Sequence, residues 1–123
     1  MRVLITDDMI SSRMQIGIVL GALELDFEEA ANGAQALEKL KQSHFDLVLL
    51  DIEMPVMNGL ETARYIQDPG FVLPWPRPLV VAITAHDPED FKESYQQLGF
   101  DGFISKPITA KKILDFLSTQ SRV

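Results

Sequence analysis

Four places in this 123-residue sequence put chemically capable side chains at the ends of short apolar runs. VLIT leads into Asp7-Asp8, LVLL into Asp51, LVVAI into Thr84, and GFIS into Lys106-Pro107. Three carboxylates, a hydroxyl and an ammonium group suit phosphoryl transfer. A carboxylate can attack phosphorus while a cation and a hydroxyl stabilise oxygens of the group in flight. Gathered in one pocket, the carboxylates repel one another, and without a compensating cation at least one is pushed toward its neutral form. Lys106 offsets one charge at most. The remaining all-oxygen charge suits a hard divalent ion, Mg²⁺ or Mn²⁺, which is held by one or two carboxylates and keeps several waters. Asp8 and Asp51 are expected as direct ligands, Asp7 as a direct or water-mediated one, and the backbone carbonyl of Glu53 as a further ligand. One oxygen of Asp51 then remains to accept phosphate, which makes the protein its own substrate.

This chemistry needs elements that bring distant residues together. Residues 3–6, 47–51 and 79–84 are continuously apolar and rich in β-branched side chains, the pattern of strands buried on both faces of a parallel sheet. Weaker strands are expected at 26–31 and 101–105. Helix signals lie between them at 11–23, 34–41 and 60–66, the last after a capping Asn58. A fourth helix opens at Asp87-Pro88 and is stopped by Gly99. A fifth covers 109–119 with Ile113, Phe116 and Leu117 inward. Five β-α repeats predict an α/β, doubly wound, five-stranded parallel sheet with five helices on both faces. In strand order 2-1-3-4-5, strands 1, 3, 4 and 5 are successive neighbours, about 5 Å apart. Their carboxyl ends, where such folds collect function, would share one pocket.

Bulk properties exclude other classes. With 46% hydrophobic and 24% charged residues the chain reads as folded, and residues 1–121 are expected to form a single domain with no effector domain in the chain. A net charge of −7, with eleven Lys and Arg that form no run, argues against nucleic-acid binding. Cysteine is absent, which removes thiolate chemistry and Cys-based zinc sites. MRVLITDD cannot be a signal-peptide core, and no stretch approaches the roughly 18 apolar residues of a membrane span. A cytoplasmic location without a membrane partner is expected, and a start at Met1 favours a stand-alone protein over an excised piece. Residues 68–78 hold four of the seven prolines and the sole tryptophan, Trp75, which predicts a long loop. It serves either to cover its own domain or as a partner-binding patch.

The fragments "VLITDD", "LVLLDIEMPVMNGLE", "VVAITAH" and "GFDGFISKPI", in this order and spacing, resemble the receiver domains of two-component response regulators over essentially the whole chain. "MPVMNGLETAR" and "AITAH" also resemble receivers of hybrid kinases. The resemblance implies a flavodoxin-like fold and a phosphohistidine donor for Asp51, on a sensor histidine kinase or a histidine phosphotransfer protein. It implies that Asp7 and Asp8 serve Mg²⁺, that Thr84 and Lys106 contact the phosphoryl group, and that the Lys106-Pro107 bond is cis. It further implies a switch in which Thr84 moves toward the phosphoryl oxygens and Phe103 swings inward. That change would alter the surface of the fourth helix, fifth strand and fifth helix for a downstream partner of unknown identity.

Several positions carry two readings. Phe103 is Phe where a hydroxyl-bearing Tyr could hydrogen-bond, and it is equally an ordinary core aromatic. Glu53 and His86 are expected at the pocket rim, controlling water access, or as solvated loop residues. Met9, Ser12 and Ile16 form one face of the first helix and are expected to dock the donor, with Ile10, Met14 and Ile18 toward the sheet. Two other functions share parts of the pattern. A haloacid-dehalogenase-type phosphatase would need an Asp where Glu53 stands and would leave Asp7-Asp8 unexplained. A pseudo-receiver that binds partners without phosphorylation would have no use for the complete set Asp7, Asp8, Asp51, Thr84 and Lys106.

Overall fold

A computed structural model describes residues 1–52, 54, 58–85 and 100–120. Its strands are β1 (Arg2–Thr6), β2 (Asp26–Ala30), β3 (Leu47–Asp51), β4 (Leu79–Thr84) and β5 (Gly102–Ser105). Its helices are α1 (Ile10–Ala22), α2 (Gly33–Gln42), α3 (Gly59–Gln67) and α4 (Ala110–Gln120). The helix expected from Asp87 lies outside the described residues. All pairings are parallel, in the order β2-β1-β3-β4-β5.

The sheet is a buried septum between two apolar layers. On one face Leu4, Val48, Leu50, Val80 and Ala82 pack with Ala36, Leu40, Ala63 and Ile66 of α2 and α3. On the other, Val3, Ile5, Leu49, Val81 and Ile83 meet Ile16 and Leu20 of α1 and Ile113 of α4. β3 is buried at every position, which explains why its sequence is apolar without alternation. β2 is an edge strand with a polar outer face, where Glu28 pairs with both Arg2 and Lys39.

Local signals fix the helix ends. Asn32 and Asn58 cap α2 and α3, their side-chain oxygens accepting from Gln35 N and Glu61 N, each at 2.9 Å. α3 can start against the end of β3 because residue 59 is Gly: a Cβ there would sit 2.7 Å from the Asp51 carbonyl oxygen. The proline-rich loop covers its own domain. Trp75 donates its indole N–H to the Leu40 carbonyl (3.1 Å) at the end of α2, and Phe71 packs on the adjacent core layer.

The expected faces of α1 are exchanged, apart from Met9. Ile16 is 2% exposed and belongs to the core, so Met9, Ser12 and Ile16 do not form one docking face. Met9 is exposed and Ser12 half-buried. Met14 and Ile18, expected toward the sheet, are 61% and 72% exposed, and Ile10 is exposed with them. At 3.6 residues per turn, positions two before and two after Ile16 lie about 200° round the helix, so burying Ile16 turns both outward. The helix seats on β2 through Gly17, whose Cα faces the Phe27 ring closely enough that an added Cβ would stand 3.0 Å from it.

Candidate functional site

The parallel sheet delivers Asp7, Asp51, Thr84 and Lys106 to one edge. Asp7 follows β1, fully buried, with its N–H donating to the Ala30 carbonyl (3.2 Å) and its Oδ1 accepting from Met9 N (3.0 Å). Asp51 ends β3 at 5% exposure, while Asp8 is exposed at the mouth. Carboxylate oxygens of Asp7, Asp8 and Asp51 all lie within 4.8 Å of one another. Thr84, buried at the end of β4, is in register with Ser105, and its carbonyl accepts from Lys106 N at 2.8 Å.

Lys106 is the cation facing this charge. Its Nζ stands 3.3 Å from Asp7 Oδ2 and 3.5 Å from Asp51 Oδ2. Burial alone would lower its pKa, but the attraction of Asp51 and then of Asp7, reinforced by hydrogen bonds to both, raises it above the ordinary lysine value. Lys106 therefore stays protonated throughout the physiological range. One ammonium among three carboxylates leaves excess negative charge in an oxygen-only donor set, partly shielded from water and open at Asp8. That composition fits a hard divalent cation.

Several sequence-predicted residues fall elsewhere. Phe103 lies on β5 opposite Ala82, half-buried against the α2–α3 core layer, two residues before the Ser105–Thr84 pair. The Lys106-Pro107 peptide bond is cis. Glu53 and His86 lie outside the described residues, and with them the expected carbonyl ligand and both rim side chains. Ile16 is in the core. One contributor had no sequence signal. Arg13 of α1 donates from Nη1 to the Asp7 carbonyl at 2.7 Å and pairs through Nε with Glu29 at 3.1 Å, which ties the β1–α1 turn to the helix and to β2. A spacing of six residues from Asp7 places it there, but an Arg on a helix looks the same when it is merely solvated.

Fold and site together define a doubly wound α/β domain with a carboxylate-and-lysine centre at the carboxyl edge of its sheet. The response regulator receiver domain model matches residues 3–118, and the chain belongs to that family, the receiver domains of two-component signalling. It is 32% identical over 118 residues to the sensor histidine kinase RcsC of Escherichia coli K12, covering 96% of this chain and 12% of that protein. Its identity to the histidine-protein kinase BarA of Shigella flexneri is 34% over 118 residues, covering 95% and 12%. The chain thus spans about a tenth of the length of these relatives. Among solved structures, the chemotaxis protein CheY4 of Vibrio cholerae superimposes with a TM-score of 0.82 at 27% identity, covering 96% of each chain. No helix among the described residues is long and apolar enough to cross a membrane.

Proposed function

We propose that this domain accepts a phosphoryl group on Asp51 from a phosphohistidine and relays the signal by changing its affinity for a downstream partner. The observation that carries this reading is Lys106 poised at 3.3 and 3.5 Å from Asp7 and Asp51 inside a three-carboxylate cluster. Asp7, Asp8 and Asp51 would hold Mg²⁺ or Mn²⁺. When bound, the ion neutralises charge that would otherwise repel the incoming phosphoryl group.

The chain's own groups account for the rest. An ionised Asp51 needs no base: its Oδ attacks phosphorus, the P–N bond breaks, and the electron pair leaves on the imidazole nitrogen. The strand holds the attacking oxygen with little freedom left to lose, which is worth rate. Lys106, charged and already aimed at Asp51, turns to an oxygen of the transferred group, and the Thr84 hydroxyl donates to another. Water attack on phosphorus later breaks the P–O bond to Asp51, which frees the carboxylate and releases inorganic phosphate, so the domain promotes its own phosphorylation and dephosphorylation. Movement of Thr84 and Phe103 then alters the face that includes β5 and α4, where the downstream partner binds.

The donor is a sensor histidine kinase or a histidine phosphotransfer protein, a reading supported by relatives that are themselves histidine kinases. Its docking surface is the exposed apolar stripe Ile10, Met14 and Ile18 with Met9, on the helix that begins three residues after Asp7. Such a stripe suits packing against a partner's helices. The test is intact mass after incubation with phosphoramidate or acetyl phosphate and Mg²⁺. Wild type gains one phosphate only when metal is present, and Asp51→Asn gains none. No adduct, under conditions that label another receiver, would favour a pseudo-receiver.

A further inference from the structure

We infer that Lys112 is a positioning residue for Lys106: its ammonium group clamps the residues on both sides of Lys106 and holds the turn that aims Lys106 at Asp7 and Asp51. This inference rests on the phosphoacceptor reading and adds a residue to it.

α4 opens after Thr109, whose Oγ1 accepts from Lys112 N at 3.2 Å, and its first turn holds no acidic residue but carries Lys111 and Lys112. Cations at the positive end of a helix are unfavourable, so each needs a compensating partner. Lys111 has an ordinary one in Asp115, four residues on, at 3.0 Å in an exposed pair. Lys112 turns the other way. Its Nζ donates to the Ser105 carbonyl (3.0 Å), the Ser105 hydroxyl (3.1 Å) and the Pro107 carbonyl (3.0 Å).

An ammonium group has three N–H donors and no acceptor. Lys112 therefore commits all three donors to one turn, and the acceptors belong to the residues immediately before and after Lys106. Lys112 is half-buried. On the sheet side, Lys106 N–H is fixed to the Thr84 carbonyl at 2.8 Å. Lys106 is thus held between β4 and Lys112, and its backbone can neither rotate nor lift without breaking charge-assisted bonds. Helix propensity and solubility would each be served by a lysine pointing into water, and neither explains a saturated ammonium. Departures from local rules of this kind collect where function requires them.

Lys112→Met keeps the stem and removes the donors. Misplacing a transition-state cation by about 1 Å can cost up to ~10²-fold, and partial loosening of Lys106 is expected to slow labelling of Asp51 by phosphoramidate about 10-fold. The experiment is a cycle of labelling rates at saturating Mg²⁺ for wild type, Lys106→Ala, Lys112→Met and the double variant. The positioning role predicts that the double variant is no slower than Lys106→Ala, because nothing is left to aim. It also predicts a Mg²⁺ Kd for Lys112→Met within about 2-fold of wild type by calorimetry, since the carboxylates are untouched. Wild-type speed for Lys112→Met, or the same slowing in both backgrounds, overturns the inference while leaving the phosphoacceptor reading intact. Failure of wild type to label overturns both. Should Lys112→Met not fold, Lys112→Gln, which shortens the reach and removes the charge, is read by the same cycle and the same criteria.

Discussion

Replacing Gly59 by Ala sets two effects of opposite sign against each other beside Asp51. α3 begins with its backbone against the end of β3, and an added Cβ would stand 2.7 Å from the Asp51 carbonyl oxygen, 2.8 Å from Ile52 Cα and 3.1 Å from the Asp51 carbonyl carbon. All three are backbone atoms, so no rotamer change relieves the contact. Opening 2.7 Å to the ~3.4 Å of an ordinary contact requires a retreat of about 0.7 Å by the helix start or the strand end. Overpacking of this kind costs about 1–3 kcal/mol. Against it stands the preference of helices for Ala over Gly, about 1 kcal/mol in a helix interior and less at a first residue. Gly59→Ala is therefore expected to lose about 1–2 kcal/mol, seen as a lower urea midpoint at unchanged slope. Because the atoms displaced are those of Asp51, the proposed acceptor, labelling by phosphoramidate should fall about 10- to 100-fold. Intact mass against time, on protein verified as folded, measures the rate. A variant as stable as wild type and labelled at the same rate would mean that helix propensity prevails and that the close approach yields freely, refuting the argument.

Three further outcomes follow from the same geometry. Asp8→Asn removes a charge from the cluster without touching the Lys106 contacts, which go to Asp7 and Asp51. The metal-free variant should melt slightly above wild type, while the stabilisation from Mg²⁺, about 2.7 kcal/mol at a hundredfold excess over Kd for a competent site, shrinks; melts with and without Mg²⁺ report both. The raised pKa of Lys106 means that the native state holds this proton more tightly than the unfolded chain, whose value is near 10.5. Its contribution is complete below that pH and is lost as pH rises through the folded-state pKa, so urea midpoints from about pH 8 to about pH 11.5 should shift against wild type relative to Lys106→Met. Met14→Glu and Ile18→Glu should change stability by no more than about 0.5 kcal/mol and leave phosphoramidate labelling intact, yet slow transfer from a phosphorylated histidine phosphotransfer protein; Ile16→Ala should instead cost about 2–5 kcal/mol in a denaturant melt.

The strands were legible because burial on both faces leaves a run such as LVLL no freedom to be polar, and a charged residue placed directly after it can only stand at the sheet's edge. Asp7, Asp51, Thr84 and Lys106 converge for that reason alone. The start of α3 was legible through Asn58, whose capping bond is local in sequence. What stayed hidden depends on direction and distance between segments. Arg13 and Lys112 reach backbone carbonyls at 2.7 to 3.0 Å, but a cation on a helix has the same sequence signature when it faces water. Gly59 reads as a loop glycine until the Asp51 backbone is seen beside it.

The exchanged faces of α1 carry information of their own. Helical periodicity marks a buried face only when the opposite face is polar. In ISSRMQIGIVLGA the apolar residues surround the axis, because Ile16 and Leu20 serve the core while Ile10, Met14 and Ile18 stay exposed. The pattern therefore could not choose between two stripes, and the choice fell to packing: Gly17 admits the Phe27 ring, which packs on the same core layer as Ile16 and Leu20. An apolar surplus on a helix of this length is not required by the fold, and leaving three large side chains in water side by side is unfavourable unless something covers them for part of the time. The failure of the periodicity and the exposed apolar stripe are thus one observation. Since the helix starts three residues after Asp7, whatever covers that stripe stands beside the acidic pocket, where the proposed function requires a phosphohistidine to arrive.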